Sequence, residues 1–166
     1  MQRTTFIHRT PLPSTLSKDT VVRILHDHAK MLQQNPTVVG YERIAPPDDA
    51  PEDELEGQWY QVTERISYLP CGLLQRNLDF RAYLHDTPHG LRTHIYAPLG
   101  VNIRDYWTVH HREMYADKDG PPSVLYLQEE VELLCPFGAT SFVRRTLTQA
   151  HGKLMARLVA AEGGSA

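Results

Sequence analysis

At 166 residues the chain has the size of one domain and can bury a core of its own. Its 41% hydrophobic and 22% charged residues are a globular composition, and a formal charge of −3 argues against the clustered basic surface that nucleic acid requires. No basic run is longer than Arg144-Arg145, which disfavours an anionic membrane surface, and no apolar stretch reaches the ~20 residues of a membrane span.

Residues 2–9 alternate as a first strand, with Phe6 and His8 on one side and Thr5 and Ile7 on the other, until Pro11 and Pro13. This segment has no apolar h-region and does not read as a signal peptide. Ser17 is placed as an N-cap, and Val21, Val22, Leu25, Ala29 and Leu32 recur at helical spacing as far as Asn35-Pro36. Residues 37–44 read as a second strand. Residues 45–57 hold three prolines and six acids, and are expected to form a solvated acidic loop.

Five strand-like runs follow, at 58–69, 73–85, 91–97, 101–112 and 123–135. The separators Pro70-Cys71-Gly72, Thr87-Pro88-His89-Gly90, Pro98-Leu99-Gly100 and Asp119-Gly120-Pro121-Pro122 carry the chemistry of hairpin turns. Hairpins in series with no helix between them exclude a parallel α/β sheet. A closing amphipathic helix is expected over 140–161, carrying Phe142, Val143, Leu147, Ala150, Leu154, Leu158 and Ala161. Gly163-Gly164 ends it, and 163–166 reads as a flexible tail to a single domain spanning 1–166.

The alternation also sorts the strands into faces. The more apolar phases are Tyr60–Val62–Glu64–Ile66–Tyr68, Leu78–Phe80–Ala82–Leu84, Leu91–Thr93–Ile95–Ala97, Val101–Ile103–Asp105–Trp107–Val109 and Leu125–Leu127–Glu129–Val131–Leu133. The opposite phases hold Arg65, Arg81, Arg92, Arg104, Glu130 and Glu132, which suits a solvated convex face. Three carboxylates, Glu129, Asp105 and Glu64, therefore fall on apolar phases. A carboxyl group facing an apolar cavity tends to take up a proton near neutrality, which suits general acid or base work. The plainer alternatives are a bulge that turns them to water, or an arginine at the rim. Tyr60, Tyr68, Phe80, Thr93, Trp107 and Phe142 are the candidate ligand-lining residues, although such aromatics also make ordinary core.

No metal is expected. Of nine histidines, His26 and His28 point to different sides of a helix, His110 and His111 to opposite faces of a strand, and His94 falls on the outer phase. Neither a Gly-x-Ser-x-Gly elbow nor a phosphate loop is present, so no cofactor is called for. Cys71 and Cys135 lack metal or redox spacing, and two free thiols fit a cytoplasmic protein.

The order strand, helix, serial strands, helix resembles the helix-grip fold of the START-like or SRPBCC superfamily. That superfamily includes pathogenesis-related proteins, lipid-transfer domains, and polyketide aromatases and cyclases. More narrowly, Trp59-Tyr60 with Glu64–Pro70, Thr93–Pro98 with Gly100, and Ile103-Arg104 with Trp107 resemble an uncharacterised fungal family of that superfamily. The resemblance implies an α+β domain: a curved antiparallel sheet of about seven strands, in β-α-β(n)-α order, wrapped on a long C-terminal helix. It implies a cavity between sheet and helix that binds a small hydrophobic molecule of lipid, polyketide or terpenoid class, in a monomer or homodimer. The alternatives are a cofactor-independent cyclase, isomerase or dehydratase of fungal secondary metabolism using the three carboxylates, and a protein-interaction module.

Overall fold

A computed structural model describes residues 1–67, 75–112, 124–138, 140–141, 143–145 and 147–148. Seven strands form one antiparallel sheet: β1 (Gln2–Pro11), β2 (Val38–Ile44), β3 (Gln58–Ser67), β4 (Gln75–Thr87), β5 (Gly90–Tyr96), β6 (Asn102–Arg112) and β7 (Val124–Cys135). Their order is β1-β7-β6-β5-β4-β3-β2, so each hairpin partner is its neighbour in sequence and only β1 travels, pairing with β7 from Gln2↔Cys135 to Pro11↔Tyr126. Pro11 thus ends an edge strand, the place in a sheet where a missing N–H is tolerated.

The helical stretch before β2 is two helices, α1 (Lys18–His26) and α2 (His28–Gln34), rather than the one that the periodicity predicts. Ser17 caps α1 by accepting a hydrogen bond from the Thr20 N–H at 3.1 Å. Asp27 ends it and caps α2 by accepting from the Lys30 N–H at 2.9 Å. A short acid that can bond its own backbone competes with the helix, and here it ends one helix and starts the next. Val21, Ile24 and Leu25 of α1 are buried against the concave face of the sheet, with Met31 of α2 beside them. His26 Nε2 reaches the Gly90 carbonyl at 2.8 Å and that of Thr87 at 3.1 Å, which pins α1 to the β4–β5 turn. Gly90 is required there: a Cβ would lie 1.7 Å from the Trp107 carbonyl oxygen.

The register fixes the inward face. Leu84↔Thr93, Thr93↔Asp105 and Asp105↔Val131 run across β4 to β7 at one level, and Leu91↔Trp107 and Trp107↔Glu129 run at the next. The core is one cluster under α1 and α2, built around Val62, Leu84, Leu91 and Leu127, and a second of Ile103, Val131, Leu133 and Cys135 against Val143 and Leu147. Helical backbone is described at 140–141, 143–145 and 147–148; the rest of the helix expected over 140–161 lies outside the described residues, as do Cys71 and the separator at 119–122.

The acidic segment 45–57 is mostly exposed, but one of its residues, Glu54, is wholly buried. It folds back on the convex face of the sheet as a strap, held by three of its six carboxylates. Asp49 forms a two-pronged pair with Arg81 at 2.6 and 3.0 Å, and Asp53 pairs with Arg92 at 2.9 Å. Glu54 has none of its surface exposed; it accepts from His94 Nδ1 at 2.6 Å and from the Tyr96 hydroxyl at 2.7 Å. Beneath the strap lie Trp59, Tyr83 and His94, at most 2% exposed, so the convex face carries a small core of its own. Composition alone does not show this, because the hydrogen bonds from His94 and Tyr96 offset the cost of burying Glu54, while Asp49 and Asp53 meet Arg81 and Arg92 at the surface.

Candidate functional site

The concave face holds a cavity between α2, the start of β2 and the centres of β3 to β6. Its walls are mostly aliphatic and aromatic, with Met31, Leu84, Leu91, Phe80 and Trp107 among them. The polar side chains in the lining come as two pairs. Thr93 and Asp105 are register partners on β5 and β6, and the Thr93 hydroxyl donates to Asp105 Oδ2 at 3.2 Å. Asn35, just after α2, donates from Nδ2 to Glu64 Oε1 at 3.2 Å. Asn35 is itself fixed, since its Oδ1 accepts from the Thr37 N–H at 3.2 Å and the Thr37 hydroxyl at 2.8 Å. The cavity has a volume of about 80 Å3 and is open to solvent on one side.

Five of the nine residues singled out in the sequence meet here: Glu64, Phe80, Thr93, Asp105 and Trp107 all line the cavity. Asp105 is 1% exposed and Trp107 3%, so both are part of the floor. Glu129 points inward too and is buried, between its register partners His8 and Trp107, but it is not among the described lining residues. Tyr60 is in the core beside the cavity with its hydroxyl already engaged, donating to Gln58 Oε1 at 2.8 Å and lying 3.3 Å from His28 Nδ1. Burial raises its phenol above the usual range, so Tyr60 stays a neutral donor. Tyr68 and Phe142 lie outside the described residues.

Two polar clusters went unread in the sequence. The first is Asp86–His28–Tyr60. His28 is 5% exposed, with Nε2 2.9 Å from Asp86 Oδ1 and Nδ1 toward Tyr60, so a buried hydroxyl is linked through an imidazole to a half-exposed carboxylate. The second is Glu54 with His94, Tyr96 and Asn102 on the convex face, where His94 Nε2 lies 2.6 Å from the Asn102 side-chain oxygen. Burial, then the bond to Glu54, pushes the Tyr96 phenol far up. Apart from His94 with Asn102, these bonds join residues 32 to 58 positions apart, and no local spacing signals such a meeting. The outer-phase position of His94 was the one available hint.

Among the described residues no group of three or more His, Cys, Asp or Glu side chains is arranged to hold a metal ion, and no helix is long and apolar enough to cross a membrane.

The family described as a domain of unknown function, DUF7053, matches residues 1–163, and the chain belongs to it. No curated protein matches the chain. Among solved structures the chain is similar to Ara h 8.0201, with a TM-score of 0.57 and 10% identity over 96% of this chain and 99% of that one. It is similar to TTHA0849 from Thermus thermophilus, with a TM-score of 0.55 and 13% identity over 99% of this chain and all of that one. It is also similar to truncated norcoclaurine synthase from Thalictrum flavum, with a TM-score of 0.57 and 13% identity over 99% and 96%. At these identities the likeness is one of fold. The fold is α+β and of the START/SRPBCC type, with a seven-stranded antiparallel sheet.

Proposed function

We propose that this member of the DUF7053 family binds a small hydrophobic molecule in the concave-face cavity. The observation that supports the reading is the lining itself: a mostly aliphatic and aromatic wall interrupted by two fixed polar pairs, Thr93–Asp105 and Asn35–Glu64. Apolar burial supplies affinity at roughly 25 cal/mol per Å2 before the costs of association, and a few placed acceptors set orientation. Volume then restricts the ligand. At about 80 Å3 the cavity is smaller than the ~150 Å3 apolar cavity known to hold benzene, so a ligand must extend through its open side. A lipid, polyketide or terpenoid with one end in the cavity and the rest at its mouth meets that demand. The fungal and secondary-metabolic setting implied by the sequence resemblance, a cytoplasmic location and a monomeric or dimeric state belong to the same proposal.

The test is native mass spectrometry of protein purified from cells that make it, followed by denaturation and weighing of what is released. A stoichiometric small molecule supports the reading; protein that is empty and takes up no small apolar compound overturns it.

The presence of Glu64 and Asp105 in one cavity favours a second reading, in which the same pocket performs proton transfer on its ligand. One neighbour of the fold is by name a synthase. Glu64→Gln and Asp105→Asn separate the readings: lost turnover with retained binding supports catalysis, and loss of neither assigns the pair a structural role.

A further inference from the structure

Among the described lining residues of the concave cavity the charged side chains are Glu64 and Asp105, and none is Lys, Arg or His. The two carboxylates are separate polar points. Asp105 is level with Thr93, Leu84 and Gln58 across β6 to β3, and Glu64 lies six residues further along β3 than Gln58. Asp105 is the deeper of the two, 1% exposed in the floor, whereas Glu64 is partly exposed.

The donors near them are few and are turned toward them. Thr93 has one hydroxyl proton, and it goes to Asp105 Oδ2 at 3.2 Å. The Asn35 amide cannot turn over, because its Oδ1 accepts from the Thr37 backbone N–H, a group that only donates, and this leaves Nδ2 on Glu64 Oε1. With both amide protons of Asn35 and the indole proton of Trp107 counted, four side-chain donors stand against about eight carboxylate lone-pair sites. The described lining is rich in acceptors.

That imbalance selects the polar group of a ligand. An inserted carbonyl or ether oxygen meets acceptors and loses its water without replacement, and an inserted carboxylate also meets like charge. A hydroxyl or ammonium group gains a charge-assisted bond, which is stronger than a neutral one. A pocket built to take such a donor rejects an analogue without it far more sharply than an apolar pocket rejects a missing methylene. Depth decides which end of the ligand carries the group, since Asp105 belongs to the floor.

We propose, resting on the reading of a ligand-binding cavity given above, that the bound molecule is an alcohol, phenol or amine whose hydrogen-bond donor lies at the inserted end. Asp105 accepts that donor, and Thr93 holds the carboxylate in place for it.

The test follows Trp107 emission in the full chain during titration with four matched compounds, with Trp107→Phe as the control. They are para-bromobenzyl alcohol, para-bromobenzylamine, para-bromobenzonitrile, which carries an acceptor alone, and para-bromobenzoate. The alcohol, the amine or both should bind about tenfold or more tighter than the nitrile, with the benzoate weakest. The amine ahead of the alcohol indicates an ammonium ligand, and the reverse order a neutral hydroxyl. In folded Asp105→Asn protein the preference over the nitrile should fall away, because an amide offers a donor as well as an acceptor. Saturable quenching by all four with the nitrile equal or ahead, as a protonated Asp105 would give, overturns the proposal and leaves the cavity reading standing. So does a folded Asp105→Asn variant that keeps the full preference. No saturable quenching by any of the four, or by bromobenzene, overturns the cavity reading and the proposal together.

Discussion

The Glu54 carboxylate, wholly shielded from solvent, meets the His94 imidazole at 2.6 Å on the convex side of the sheet. The same carboxylate takes the Tyr96 hydroxyl at 2.7 Å, while the Glu54 backbone carbonyl accepts the Trp59 indole N–H at 2.9 Å. One residue of an acidic loop thus satisfies three buried donors from β3 and β5. The Arg92 guanidinium lies 3.8 Å from the same carboxylate. This side of the sheet holds the strap, and the opposite side holds the cavity.

Removal of that carboxylate should be costly. Glu54→Ala leaves His94 and Tyr96 without their buried acceptor, and a loss of about 3–5 kcal/mol is expected from the measured effect of breaking buried pairs. Urea unfolding is the check. Asp53→Asn is the contrast: its carboxylate is in water, and the midpoint should move little. Equal effects at both positions would contradict the picture of one buried anchor and two exposed ties.

Acid should loosen the strap within a defined window. The hydrogen bond from Arg81 holds Asp49 below its ordinary 3.8, and that from Arg92 does the same for Asp53. A depressed carboxylate contributes stability above its unfolded pKa and loses it as pH falls through the folded value. The two surface ties should therefore hold at neutral and mildly acid pH and weaken together below about pH 4, so that the strap frays around its Glu54 anchor. Trp59 reports this in Trp107→Phe protein, since the indole under the strap becomes wet and its emission shifts to the red. A shift already present near neutrality would contradict the assignment.

Alkali tests the opposite sign. Burial raises Tyr60, Tyr83 and Tyr96 above the ordinary 10.0, with the Glu54 bond adding to the effect at Tyr96. Groups raised in the fold contribute stability that is full below the unfolded pKa and is lost as pH rises through the folded one. Three of the eight tyrosines should thus ionise late, together with unfolding, in an absorbance titration. A single transition for all eight would show the three phenols to be accessible.

Close backbone approach makes a third kind of prediction. A Cβ at Gly57 would lie 2.2 Å from the Tyr83 ring and 2.7 Å from the Leu84 carbonyl oxygen. Gly57→Ala should displace the strap from β4 and lower stability by roughly 1–3 kcal/mol, the usual cost of overpacking. Gly40→Ala, with nothing within 4 Å of the added methyl, is the matched control.

The concave side was legible in the sequence because strand alternation has a period of two and the register is regular from β3 to β7. Phe80, Thr93, Asp105 and Trp107 fall on the phases that the apolar count picks out. The convex side was not legible in the same way. Apolar counting treats Arg81, Arg92 and His94 as solvent-facing and treats six acids in thirteen residues as unpackable. Only the tertiary fold brings them together, and of the six acids it buries Glu54 alone, against the donors of His94 and Tyr96. The break at Asp27 escaped for a related reason: the apolar stripe runs through it, and a cap that serves the following helix looks like an ordinary helical acid. Tyr60 lies on the expected phase, yet which groups take its hydroxyl depended on His28, across a helix no periodicity could orient.

The most direct test of the cavity uses Trp107, which forms part of its wall and is 3% exposed. The protein is titrated with a small brominated aromatic such as bromobenzene while indole emission is followed, with Trp107→Phe as the control. A cavity that binds small apolar molecules predicts saturable quenching with one site per chain, absent from Trp107→Phe protein. Quenching that rises linearly without saturation, and equally in both proteins, would contradict a ligand-binding cavity.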